Sequence, residues 1–219
     1  MRDLLLLGLD VHNAEMAEIV ERVNAVRPTW NLLGYVSADG ARVGEVYNGY
    51  SIYDTSALTT HYPEACVVGN EYGWKSEVLI PRERYVSLID PSSWVSRSAQ
   101  IGVGCVVFPN CYVGLRAVLG DYLFCLSGSI INHDDVLEER VVVTSGVRVA
   151  GNVHVEAHCY LGQACTIREC LRIGHHSLIG MGAVVVRDVP PHAVMVGNPA
   201  RYLRANGVDT ASLAVNSDT

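Results

Sequence analysis

The chain has a single lysine, Lys75, in 219 residues, and its remaining basic residues are arginines scattered along the sequence. No basic stripe with interleaved aromatics occurs and the formal net charge is -7, which excludes a polyanion-binding surface and predicts no nucleic-acid partner. Long apolar runs are missing too. The run Leu4 to Leu7 is too short for a membrane span and no small-residue cleavage site follows it, so a buried strand is expected there and no membrane association. Cysteine is present seven times, an odd number that argues against a disulfide framework and for a reducing, cytoplasmic setting.

What the chain does have is a period. From Val95 to Val185 every sixth residue is aliphatic or Cys: Val95, Ile101, Val107, Val113, Leu119, Cys125, Ile131, Leu137, Val143, Val149, Val155, Leu161, Ile167, Ile173, Ile179 and Val185. With 49% hydrophobic residues overall, such a run arises by chance roughly once in 10^5 trials. Neither a 3.6-residue helix nor a two-residue strand alternation has a period of six. A chain that coils with one short strand and one corner per hexapeptide does, which predicts a parallel β-helix. Four residues after each aliphatic comes a mostly small residue, such as Cys105, Ala117, Ser129, Cys159 or Ala183, suited to a second inward position. Five cysteines (Cys105, Cys111, Cys125, Cys159, Cys165) thereby become small buried hydrophobes. One residue after the aliphatic, Gly102, Gly114, Gly120, Gly162, Gly174 and Gly180 read as corners needing unusual dihedrals.

The first third has another texture. Leu4 to Leu9 reads as a strand. Asn13 is a plausible N-cap for a helix over Ala14 to Val26, and Pro28 ends it. Trp30 to Val36 and Ala65 to Val68 read as further strands. A small α/β, Rossmann-like unit over residues 1–85 is expected, with ligands at the carboxyl ends of its strands. The β-helix follows over 86–204, and 205–219 reads as a mobile polar tail.

Leu88-Ile89-Asp90-Pro91, Asn132-His133-Asp134, Ala150-Gly151-Asn152-Val153, Gly180-Met181-Gly182 and Gly197-Asn198-Pro199-Ala200-Arg201 fall in an order and spacing that resembles one family. It is that of the bacterial sugar acetyltransferases, the sialic acid O-acetyltransferase and nucleotide-amino-sugar N-acetyltransferase group. The resemblance covers nearly the whole chain. It implies a left-handed β-helix with about eighteen residues per coil, a homotrimer, and acetyl-CoA bound between neighbouring subunits without a metal.

His133 is third in its hexapeptide and so faces outward, which disfavours a packed core histidine. Acyl transfer from a thioester to an amine or hydroxyl needs a base near neutral pH, and imidazole suits it. The resemblance gives His133 that role and has Asp134 orient the ring. It places the cofactor at Gly151, one coil above His133, and at Gln163, Gly180, Met181 and Gly182, with Arg201 and Arg204 near its phosphates. Val142 stands where many relatives have a second histidine. The acceptor sugar is expected at Gly8, His12, Asp39 and Gly69, although the glycine-rich first turn of relatives is Gly8-Leu9-Asp10-Val11-His12 here and Asp10 would repel a diphosphate. Lys75 lies near the position of an arginine that relatives carry. Asp135 occupies an inward position and must either bond to His133 or distort the coil, since a lone buried carboxylate is costly. His154 and His158 with His175 and His176 invite a zinc reading, but their spacing puts them at different outward positions, and exposed histidines are preferred.

These features predict an acetyl-CoA-dependent acetyltransferase acting on an amino or hydroxyl group of a nucleotide-linked or free sugar for bacterial surface glycan synthesis. A trimeric β-helix scaffold or sugar-sensing protein is the alternative.

Overall fold

The computed structural model describes residues 1–70, 74 and 76–207. Lys75 and the tail beyond residue 207 lie outside the described residues. Near the N-terminus, β1 (Arg2–Leu7), β2 (Trp30–Val36), β3 (Val46–Tyr47), β4 (Tyr50–Tyr53) and β5 (Cys66–Gly69) form a five-stranded sheet beside α1 (Val11–Val26), with β1 between β2 and β5. The strand order is β3-β4-β2-β1-β5, parallel except for the β3–β4 hairpin at one edge. Leu4 to Leu7 are fully or almost fully buried because both sheet faces are covered.

α1 begins earlier than its spacing suggests. Asp10, not Asn13, is the N-cap: its carboxylate accepts the Asn13 amide at 2.9 Å while the Asn13 side chain accepts the Asp10 amide at 3.2 Å. Asn13 is buried and also donates Nδ2 to the Leu7 carbonyl at 2.8 Å, closing the turn after β1 from inside.

From Leu88 the chain coils through two-residue strands that pair in parallel with partners eighteen residues away, as in Tyr112 with Ile130 and Ile131 with Val149. The first face stacks strands from Trp94–Val95 to Val184–Val185, the second from Gln100–Ile101 to Arg172–Ile173, and the third from Leu88–Ile89 to Leu178–Ile179. The hairpin Ala193–Val196 with Arg201–Ala205 extends the third face. The inward residues of the hexapeptide form one continuous core from Cys105 to Ala200, and the five repeat cysteines are all buried in it. Burial pushes the Cys159 and Cys165 thiols up to about 12, so they act as packing groups and not nucleophiles.

The glycines sit at corners as their spacing suggested, but not for unusual dihedrals. Gly102, Gly114, Gly120, Gly162, Gly174 and Gly180 do not have left-handed backbone. A Cβ on Gly114 would meet the Asn132 carbonyl carbon at 2.5 Å, so glycine there permits the close approach of the next coil. The left-handed position comes two residues later and is filled largely by other residues, among them Asn110 (φ 60°), Arg116 (57°), Asp134 (61°) and Asn152 (62°).

The two parts of the chain share packing. Met16, Ala17 and Val20 of α1 bury with Leu88, Val106, Phe108, Phe124 and Val142 on the outside of the third face. Arg22 clamps the buried Asp90 carboxylate at 2.6 and 3.0 Å.

Candidate active site

Residues 132–135 form the corner between the first and second faces, and 150–153 form the same corner one coil above. His133 is outward with its side chain 56% exposed, and Nδ1 stands 2.8 Å from Asp134 Oδ2. Arg116, one coil below Asp134, grips the same carboxylate through Nε at 2.6 Å and Nη2 at 2.7 Å. The Arg116 hydrogen bonds first and the His133 bond second hold the Asp134 carboxyl down at about 2, so it is ionised at neutral pH. An ionised carboxylate only accepts, hence Nδ1 carries the hydrogen and Nε2 is left as the basic nitrogen. Arg116 is a member of this cluster that motif reading missed. The signal was its place eighteen residues before Asp134.

Gly151 is buried directly beside this ring. A Cβ there would stand 2.7 Å from Cε1 and 2.8 Å from Nε2 of His133, and Gly151 has no left-handed backbone. Close approach to the imidazole therefore requires the glycine.

Asp135 neither bonds to His133 nor distorts the coil. Its carboxylate accepts the amides of Asn132 at 2.8 Å and Val153 at 2.9 Å, while its own carbonyl keeps the ladder by accepting the Val118 amide at 2.8 Å. Val142 is buried against α1 and its surroundings, so a histidine at that position would meet packing here.

The other cofactor candidates lie at the opposite edge of the first face. Gln163 is on the corner between the third and first faces, and the Gly180-Met181-Gly182 corner sits one coil above it, with the Gly182 amide donating to the Gln163 carbonyl at 2.8 Å. Met181 projects outward, 76% exposed, and a Cβ on Gly182 would meet nothing within 4 Å, so this edge offers open main chain to a ligand. Arg201 and Arg204 are exposed on the last strand. Within one chain, His133 and Gly151 form one group and Gln163, Gly180, Met181 and Gly182 another.

Gly8, Asp39 and Gly69 sit at the carboxyl ends of β1, β2 and β5, side by side. Each has a local duty. Gly8 has φ 111° and leaves room for the Asn13 side chain, and Gly69 lies where a Cβ would meet Leu7 at 2.6 Å. Asp39 accepts the Ala41 amide at 2.9 Å and the Ser37 hydroxyl at 2.8 Å, which holds its carboxyl below the usual range. His12 is apart from them, edge-on to Phe108 and Phe124 of the third face. Of the four candidate zinc histidines only His154 stands apart, bonding Glu138 at 2.6 Å on the second face, whereas His158, His175 and His176 meet ring to ring, together with His192, at one corner and not at different positions as their spacing suggested. Among the described residues no group of three or more metal-ligating side chains is placed to hold an ion, and no helix is long and apolar enough to cross a membrane.

No family model matches the chain. A 91-residue stretch is 33% identical to an acyl-[acyl-carrier-protein]--UDP-N-acetylglucosamine O-acyltransferase of Pseudomonas paraeruginosa, and 34% identical to that of Pseudomonas savastanoi. This stretch is 42% of the chain and 35% of those proteins, so the chain matches about a third of the length of its curated relatives. Among solved structures, the acetyltransferase domain of PglB from Neisseria gonorrhoeae superposes with a TM-score of 0.78 at 25% identity, covering 93% of this chain and 100% of that one. A variant of perosamine N-acetyltransferase from Caulobacter crescentus, in complex with CoA and GDP-perosamine, gives 0.78 at 21% identity, covering 93% and 98%. The chain thus shares its fold with these acetyltransferases and, over the 91-residue stretch, is similar in sequence to the acyltransferases. The shared region includes the N-terminal sheet, since these neighbours cover more of the chain than the coils alone.

Proposed function

We propose that the chain is an acetyl-CoA-dependent sugar acetyltransferase in which His133 is the general base. The observation that carries this is the His133–Asp134 pair at 2.8 Å with Nε2 lying against Gly151, a glycine that only the ring's approach explains. Acetyl-CoA, as co-substrate, supplies the acetyl group as a thioester. His133 Nε2 takes the proton of the attacking amine or hydroxyl, Asp134 holds the resulting cation through Nδ1, and the same proton then returns to the leaving thiolate. Arg116 keeps Asp134 ionised and in place, so the carboxylate orients the ring and is not itself protonated.

The cofactor reading extends to Gly151 on one edge and to Gln163, Gly180, Met181, Gly182 and Arg201 on the other. These edges belong to opposite sides of one face, so two copies lying side by side unite them, and a closed ring of three does so at every edge. A homotrimer of left-handed solenoids follows. We assign residues 1–85 as a Rossmann-like acceptor domain, with Gly8, His12, Asp39 and Gly69 nearest the sugar, and 86–204 as the acetyltransferase domain. Because the capping box fills the turn after β1, the acceptor must bind outside that turn. The perosamine enzyme, crystallised with CoA and GDP-perosamine, supports a nucleotide-linked amino sugar. Glycan precursor synthesis in the cytoplasm is the setting for such a reaction.

The test is thiol release from acetyl-CoA across a panel of nucleotide amino sugars and free sialic acids. Release that depends on one acceptor supports the enzyme. Binding of acetyl-CoA with no transfer to any acceptor would favour a trimeric scaffold or sugar sensor.

A further inference from the structure

Asp135 has no exposed surface and stands at an inward corner position where the equivalent residues are uncharged, among them Ala117, Ser129, Val141 and Val153. Its Oδ2 accepts the Asn132 amide at 2.8 Å and its Oδ1 accepts the Val153 amide, one coil above, at 2.9 Å. Asn132 immediately precedes His133, and Val153 ends the corner that Gly151 begins. Three further bonds join the same two coils: the Asn152 amide donates to the His133 carbonyl at 3.1 Å, and the Asn132 amide and Nδ2 donate to the Val149 carbonyl at 3.3 and 2.8 Å. The carboxylate is thus tied to both coils at the height of the imidazole. We infer that Asp135 is a positioning residue whose buried carboxylate locks the His133 corner to the Gly151 corner and so sets the ring against the path of the thioester.

This inference rests on the reading of His133 as the base. Two amide donors, one on each oxygen, suit the ionised carboxylate. A protonated acid would turn an O–H against one of them and release a coil. Burial pushes the carboxyl up to about 7 despite both amides and the nearby His133. The charged groups facing Asp135 are His133 and Asp134, with Arg116 bound to Asp134, while Gly151 to Val153 above bring only main chain. As pH falls below about 7 the lock opens, in addition to any protonation of the base itself. The acid limb of the rate profile then involves two protons.

Two variants test this. Asp135→Asn keeps the volume but offers an N–H to one of the amide donors. Asp135→Ala suits the narrow core, as Ala117 and Ala183 do, and guards against simple misfolding. Both variants are expected to lower kcat about ten- to a hundredfold, the usual consequence of displacing a reacting group slightly. The KM for acetyl-CoA should change far less than kcat, and the acid limb should become a one-proton limb. In 15N NMR the wild-type His133 ring should report a second inflection near pH 7 that both variants lose. An Asn variant with wild-type kcat and a His133 titration identical to wild type would overturn the inference. Those NMR data need no turnover, so they separate this result from failure of the base assignment, which would show instead as an active His133→Ala enzyme.

Discussion

A Cβ on Gly151 would lie 2.7 Å from Cε1 and 2.8 Å from Nε2 of His133, closer than real Cβ atoms approach, and 3.1 Å from Nδ1. Gly151→Ala must therefore push the imidazole away from Asp134 or off the corner. The expected outcome is a fall in kcat of about a hundredfold with an unchanged association state, measured by thiol release and light scattering. Gly182→Ala, facing open space but with φ 65°, would instead show whatever strain the left-handed backbone imposes. At this scale the sequence made His133, Asp134 and Gly151 legible because they form short linear motifs. Arg116 and the bond of Asp135 to Val153 were not legible that way, since both reach across coils to residues eighteen positions away.

The solenoid elements could be read because every inward side chain repeats the same requirement, and the sixfold period survives single exceptions. The N-terminal elements gave less. β3 and β4 are short and join the sheet at its edge, where pairing with β2 comes from tertiary packing and leaves little pattern. The start of α1 was displaced because Asp10 and Asn13 cap each other, and either alone looks like a cap. Docking of α1 on the third face depends on an ion pair that no local pattern announces, Arg22 with Asp90. Burial opposes the charge on Asp90, but Arg22 and the Ser92 hydroxyl and amide outweigh it and hold the carboxyl below its ordinary value. Arg22→Ala leaves that buried carboxylate without its cation, so the melting midpoint should fall by several degrees at pH 7 in calorimetry. A depressed carboxyl stabilises the fold above its unfolded pKa and ceases to do so as pH falls through the folded value. The difference between wild type and Arg22→Ala should accordingly shrink below about pH 4.

In the whole molecule, the two candidate halves of the cofactor site lie on opposite edges of one solenoid face, so the proposed shared site requires association. Light scattering at micromolar concentration should give three times the 23.8 kDa chain mass, and a monomer that still transfers acetyl groups would refute the shared site. The claim on which the rest depends is that His133 takes the proton. Its ring is outward and half-exposed, so replacing it leaves the core untouched, and stability should stay within about 0.5 kcal/mol of wild type. General-base catalysis contributes about 10^2 to 10^4 in rate. The decisive measurement is kcat for His133→Ala with acetyl-CoA binding measured alongside: a loss of at least about a hundredfold with binding intact is the predicted result, and a variant that keeps most of its kcat would contradict the account.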